Sequence, residues 1–148
     1  MIIKRKFFSY IGFSDLVPSE VNLSKELTLK LEDKTKLAKF LGKINYIKKK
    51  QDKCVFYNIN INNKHVGDLS LYEENPRELE FEIVGVKDKK YIHLIVVWIL
   101  NNAKDWGFLT VSSQFFPEEY SNDLNNLFSG LGFKEVKDPH VIIYEKRL

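Results

Sequence analysis

Hydrophobic and polar residues alternate with period two in a series of segments, and this alternation predicts half-buried strands. The predicted strands in the first part of the chain are Leu27–Glu32, Cys54–Ile61, His65–Tyr72 and Leu79–Val86. Asn62-Asn63 predicts a tight hairpin turn between the second and third of them, and Glu73–Arg77 predicts a second turn. This part of the chain is therefore predicted to form an antiparallel meander.

Two segments have the hydrophobic pattern of a helix. Asp33 is a residue type that caps helices, and behind it apolar residues recur on one stripe with lysines on the other faces. The stripe comprises Leu37, Phe40, Leu41, Ile44 and Ile47. The apolar segment Ile92–Leu100 would also suit a buried strand, but its pattern continues to Lys104 and stops at Gly107. That length favours a buried helix.

The remaining segments complete an α+β pattern. The further predicted elements are a strand at Phe108–Ser112, a helix at Asp123–Ser129, and short strands near Phe133–Val136 and Val141–Glu145. An apolar and basic alternation at Ile3–Phe8 indicates another strand, so residues 1–22 are an N-terminal extension or an extra edge strand. We predict one domain over residues 1–148, with a mixed, mostly antiparallel central sheet and helices on both of its faces.

Composition indicates an ordinary globular protein. The chain has 148 residues, of which 44% are hydrophobic and 29% charged, and this balance is typical of a folded domain. A single cysteine, Cys54, excludes an internal disulfide and suits the reducing cytoplasm. The longest apolar run, Leu94–Leu100, is too short to span a bilayer. We expect a cytoplasmic protein without a membrane partner.

The net charge of +3 is small, although lysines cluster between Lys34 and Lys53. Aromatic residues do not alternate with these lysines as they do in proteins that bind single strands. The cluster is better explained as the solvated face of the helix predicted after Asp33. We therefore expect no nucleic-acid partner.

The segment from Glu78 to Phe133 has the predicted order strand, turn, helix, strand, helix, and it closes with Leu127-Phe128-Ser129-Gly130-Leu131-Gly132-Phe133. This layout and this ending resemble the cofactor half of the GNAT superfamily of N-acetyltransferases, in which the ending reads Leu-Tyr-x-x-Leu-Gly-Phe. The resemblance implies a GNAT-like fold, acetyl-CoA as cosubstrate, and direct transfer of its acetyl group to an amine of a small molecule or peptide. The chain has no Cys/His spacing typical of a metal site, so we expect no metal. A homodimer is left open.

In this family a turn of the form Gln/Arg-x-x-Gly-x-Gly/Ala follows the fourth core strand, and its backbone amides hold the pyrophosphate of the cofactor. Counting back from Gly107 without gaps places the turn on Lys87–Ile92, where Lys90 and Ile92 replace the two small residues. Two interpretations are open. Either Lys87, Lys89 and Lys90 supply charge for an anionic cofactor, or they form a solvated loop with Ile92 in the core. The cofactor contacts implied by the resemblance are Val84, Val86, Lys87, Lys89, Lys90, Tyr91, Ile92, His93, Asn122 and Phe128.

Acetyl transfer to an amine also needs a general base. The resemblance implies a glutamate on the strand before the turn, where Glu80 and Glu82 share one face; Glu82 is the first candidate and Glu80 the second. A solvent-facing pair of carboxylates is the structural alternative, and His65 and His93 are weaker candidates. Phe128 stands where many members have a tyrosine that protonates the CoA thiolate, and phenylalanine has no such proton. The alternative function is therefore a catalytically inactive GNAT-fold binding module.

Overall fold

The computed structural model describes residues 12–32, 54–115 and 121–148, which contain eight strands, two α-helices and a short 3-10 turn at Phe13–Asp15. The strands are β1 (Glu20–Asn22), β2 (Leu27–Leu31), β3 (Cys54–Ile61), β4 (Lys64–Asn75), β5 (Glu78–Val84), β6 (Thr110–Phe115), β7 (Lys134–Val136) and β8 (Ile142–Arg147). The helices are α1 (Lys89–Ala103) and α2 (Asn122–Gly130). The predicted strand at Ile3–Phe8 and the predicted helix after Asp33, with its lysine cluster, lie outside the described residues.

The eight strands form one sheet in the order β1-β2-β3-β4-β5-β6-β8-β7. Every neighbouring pair is antiparallel except β5 and β6, which are parallel. Parallel neighbours need a crossover connection, and α1 supplies it between β5 and β6. This is the mixed, mostly antiparallel α+β sheet that the sequence predicts. Among the described residues, β1 forms one edge of the sheet.

Both described helices pack on the same face of the sheet. The ring of Trp98 in α1 lies edge-on against Tyr57 of β3, with 5.6 Å between ring centroids. The ring of Phe128 in α2 stacks on Phe81 of β5 at 6.2 Å. Every second residue of the central strands points into this core, so the intervening residues point to the opposite face. No helix in the described parts of the chain is long and apolar enough to cross a membrane.

Several element boundaries differ from the prediction for local reasons. Strand β5 ends at Val84, two residues early, because Gly85 takes a φ of +88°. Strand β4 continues through Glu73 and Glu74, where the sequence predicts a turn, because Glu73 pairs with Leu79 of β5. Helix α1 is helical over Ile92–Leu100 as predicted, and it begins three residues earlier because Asp88 caps it.

Candidate active site

The parallel strands β5 and β6 separate towards their C-terminal ends. Their pairing stops at Phe81 opposite Ser113, although β5 continues to Val84 and β6 to Phe115. On its other side β5 stays paired with β4 as far as Val84. Within the described residues, the segment 82–84 therefore has no strand neighbour on the side of β6. Among the described residues, no strand partner occupies the backbone N–H and C=O groups of this segment on that side, so that they can pair with a ligand.

A cleft of about 530 Å³ opens on the helix-bearing side of this separation. It is lined by Ile83, Val86, Lys87, Asp88, Lys89, Ile92, Phe115, Ser121, Asp123 and Leu124. These residues belong to the separated strand ends, the beginning of α1 and the beginning of α2. The volume is that of a small-molecule site, and both helices direct their N-terminal, positive ends towards it.

A smaller pocket of about 140 Å³ lies at the same separation and includes the opposite face of β5. It is lined by Glu80, Phe81, Glu82, Ile83, Gln114, Phe115 and Val141. Ile83 and Phe115 line both cavities. A molecule held between the separated strands would thus contact the helix-bearing cleft on one side and the two carboxylates on the other.

Asp88 occupies the beginning of α1. Its side-chain carboxylate accepts a hydrogen bond from the backbone N–H of Lys90 at 2.9 Å, and its carbonyl accepts from the N–H groups of Tyr91 at 3.1 Å and Ile92 at 3.3 Å. This is an ordinary N-cap, in which an aspartate satisfies donors that the first turn leaves free. The chain thus places a negative charge of its own at the positive end of the helix.

The lysines around this helix start are directed to different partners. Lys89 Nζ lies 3.3 Å from Asp123 Oδ1, which links the starts of α1 and α2 across the cleft. Lys90 Nζ lies 3.8 Å from Glu26 Oε2, in the β1–β2 loop. The hydroxyl of Tyr91 donates to the same carboxylate, and this hydrogen bond raises the pKa of Tyr91. Lys90 and Tyr91 therefore bind the β1–β2 loop and do not line the cleft.

At the second helix, Ser121 caps α2 by accepting from the N–H of Leu124 at 3.1 Å. The cleft is lined by Ser121 and Asp123, while Asn122 between them is exposed and does not line it. Phe128 lies fully inside an aromatic cluster. Its ring centroid is 4.8 Å from that of Tyr144, 5.1 Å from Phe133, 5.5 Å from Phe115 and 6.2 Å from Phe81. Phe128 does not line the cleft itself, but its ring contacts that of Phe115, which does.

The two predicted glutamates differ in their surroundings. Burial, the charge of Glu74 and a hydrogen bond with the Glu74 side chain, in that order of size, raise the pKa of Glu80 to about 7. Glu78 and Glu82 add smaller charge effects of the same sign. Glu82 is exposed, whereas Glu80 is half-buried between Tyr72 of β4 and Ser112 of β6, its cross-strand neighbours. A carboxyl group that exchanges its proton near neutral pH at the rim of a pocket suits acid–base chemistry.

The remaining candidates do not line either cavity. Val84 is 52% exposed at the end of β5, and His93 is exposed on α1. His65 Nε2 lies 3.0 Å from Asp68 Oδ1 on the surface. Among the described residues, no group of three or more His, Cys, Asp or Glu side chains is arranged to hold a metal ion.

Four residues that line the cleft are not among the site residues predicted from the sequence: Asp88, Asp123, Ile83 and Phe115. Asp88 has a recognisable signal, an aspartate directly before a helical pattern. Phe115 and Ile83 have no such sequence signal, because their position in the cleft depends on where the pairing of β5 with β6 ends.

No family model matches the sequence, and no curated protein sequence matches it either. The fold, in contrast, matches solved structures over most of their length. A probable acetyltransferase superposes with a TM-score of 0.63 at 12% identity, over 86% of this chain and 96% of that chain. The self-immunity acetyltransferase MccE, in complex with acetyl-CoA and AMP, gives 0.62 at 12% identity over 90% and 98% of the two chains. The Campylobacter jejuni N-acetyltransferase PseH, in complex with acetyl coenzyme A, gives 0.56 at 13% identity over 82% and 98%. These similarities confirm the predicted fold.

Proposed function

We propose that this protein, whose fold is that of the GNAT N-acetyltransferases, transfers an acetyl group from acetyl-CoA to an amine of a small molecule or peptide. One observation carries the proposal: β5 and β6 separate beyond Phe81 and Ser113, and two cavities of different chemistry meet there at Ile83 and Phe115. A thioester held at this point would be open to attack from the side of the carboxylates.

The unpaired edge at residues 82–84 supports binding of the donor. The pantetheine arm of acetyl-CoA is a narrow chain with two amide groups, and it can pair with an open strand edge as a peptide does. Its pyrophosphate would then lie between the starts of α1 and α2. Of the predicted cofactor contacts, Val86, Lys87, Lys89 and Ile92 line that cleft. Phe128 would act indirectly, by packing against Phe115.

In the proposed reaction Glu80 is the general base, and Glu82 is the less suited of the two glutamates because it is exposed. With a pKa of about 7, Glu80 is substantially ionised at neutral pH and accepts a proton from the incoming ammonium group. The free amine attacks the thioester carbonyl, and the tetrahedral intermediate expels the CoA thiolate. Because Phe128 has no hydroxyl, a water molecule relays to the thiolate the second proton, which the amine nitrogen loses as the intermediate collapses. The products are an amide and CoA.

Release of free thiol from acetyl-CoA in the presence of a panel of amines tests the proposal, with product mass confirming acetylation. Val86→Trp places an indole in the cleft and should abolish both binding and thiol release. Leu109→Trp is the matched control, because Leu109 is 47% exposed directly before β6 begins and lines neither cavity. It should behave as the unmodified protein does.

Two outcomes would contradict the proposal. Absence of any acetyl-CoA binding would exclude an acetyltransferase. Saturable binding that Val86→Trp removes, without acetylation of any amine tested, would instead support the inactive binding module.

A further inference from the structure

The cleft carries carboxylates of its own at the end where the phosphates of a donor would lie. Asp88 and Asp123 both line it. The first accepts a hydrogen bond from the N–H of Lys90 at 2.9 Å, and the second lies 3.3 Å from the ammonium group of Lys89. A backbone donor and a cationic side chain, the two features that would hold a phosphate, therefore each have an anionic partner within the protein.

The charges that line the cleft also cancel. Among the described lining residues, the side-chain charges of Lys87 and Lys89 are matched by those of Asp88 and Asp123, so that these side chains contribute no net positive charge to attract an anion. Lys90, the third lysine of this segment, is held by Glu26 at 3.8 Å and does not line the cleft. In contrast, the region where a pantetheine arm would lie is apolar, with Ile83 and Phe115, and has the open edge of β5.

We propose that Asp88 and Asp123 determine donor specificity, by weakening recognition of the pyrophosphate so that the donor is selected through its pantetheine arm and thioester. This inference rests on the proposed function. It predicts that acetyl-CoA and S-acetylpantetheine, which lacks the nucleotide and its phosphates, bind with similar affinity. It also predicts that removing either carboxylate charge improves the binding of acetyl-CoA but not that of S-acetylpantetheine.

The size of the effect follows from Coulomb's law. A unit charge about 5 Å from a doubly charged pyrophosphate in water opposes binding by roughly fifteenfold, and physiological salt lowers this factor to about fivefold. Asn caps a helix about as well as Asp does, so Asp88→Asn removes the charge while keeping the cap. Asp123→Asn is an independent second variant, which frees Lys89.

The experiment is calorimetric titration of both donors into the unmodified protein and three variants at low and high salt. Asp88→Asn and Asp123→Asn should each tighten acetyl-CoA binding about fivefold, with no change for S-acetylpantetheine, and the gain should shrink at high salt. Asp105→Asn is the matched control. It makes the same change in net charge at the other end of α1, about 25 Å away, and should change neither affinity.

The inference is overturned if both aspartate variants leave acetyl-CoA binding unchanged or weaken it. It is equally overturned if the variants change the affinities for acetyl-CoA and S-acetylpantetheine by the same factor. It is also overturned if the unmodified protein binds acetyl-CoA far more tightly than S-acetylpantetheine. These results leave the proposed function intact. Failure of both donors to bind any of the proteins would instead contradict the proposed function and the inference together.

Discussion

Replacing Glu80 by glutamine tests whether the surroundings of this carboxyl group disfavour its ionised form. Its pKa is raised from 4.5 to about 7, chiefly by burial and next by Glu74. Glutamine keeps the shape and the hydrogen-bonding capacity of the side chain, but it never ionises. The substitution therefore removes the charge alone.

The sign of the effect follows from proton linkage. Because the pKa is raised on folding, the favourable contribution of Glu80 is fully present below about pH 4.5 and is lost as the pH rises through about 7. Above pH 7 the folded protein holds an ionised Glu80 at a cost that Glu80→Gln avoids. The full pKa difference would correspond to roughly 3 kcal/mol, but the side chain is only half-buried, so solvent screening reduces the gain to about 1 kcal/mol.

Urea denaturation at pH 5 and pH 8 measures this difference. We expect Glu80→Gln to raise the free energy of unfolding by about 1 kcal/mol at pH 8 and to change it little at pH 5. Glu82→Gln is the control, since Glu82 is exposed on the same face of β5. A loss of stability at pH 8 in Glu80→Gln, or an equal gain in Glu82→Gln, would refute the reasoning.

Further predictions concern the same elements. Glu80→Gln should lower kcat/KM for acetyl transfer by about 10²- to 10⁴-fold, the usual contribution of a general base. Glu74→Gln should move the rising limb of the pH–rate profile to lower pH, because Glu74 raises the pKa of Glu80; an unmoved limb would argue against Glu80 as the base. Phe128→Ala should lower the free energy of unfolding by about 3–5 kcal/mol, since its buried ring contacts four other aromatic rings; a loss below 1 kcal/mol would contradict the packing. Gly85→Ala should lower the melting temperature, because Gly85 has a φ of +88° and an added Cβ would lie 2.6 Å from a β4 carbonyl oxygen. Gly130→Ala, with nothing within 4 Å of the added Cβ, is its control and should have little effect.

The sequence predicts the meander well because each of its strands carries a local signal. The alternation of apolar and polar residues predicts β2 and β3. Asn62 and Asn63, both with positive φ, form the turn between β3 and β4. Helix α1 is predicted correctly because its apolar pattern is too long for a buried strand. Its start is less accurately predicted, since Lys89 and Lys90 have no helical periodicity and only Asp88 marks the cap.

The candidate site is less predictable because it depends on long-range contacts. Lys90 and Tyr91 lie beside the predicted cofactor turn in sequence, yet both bind Glu26, more than 60 residues away. The order of Glu80 and Glu82 as candidate bases depends on burial, which alternation along a strand does not reveal. The separation of β5 from β6 has no local signal either, since it is the end of a pairing between strands that α1 separates in sequence.

The central claim is that the acyl donor lies between the separated ends of β5 and β6. Hydrogen exchange of the backbone amides at residues 82–84, with and without saturating acetyl-CoA, tests it most directly. We predict that acetyl-CoA slows exchange at these amides and at the first turn of α1, and that Val86→Trp removes the effect. Unchanged exchange at residues 82–84 in the presence of bound acetyl-CoA would contradict the claim.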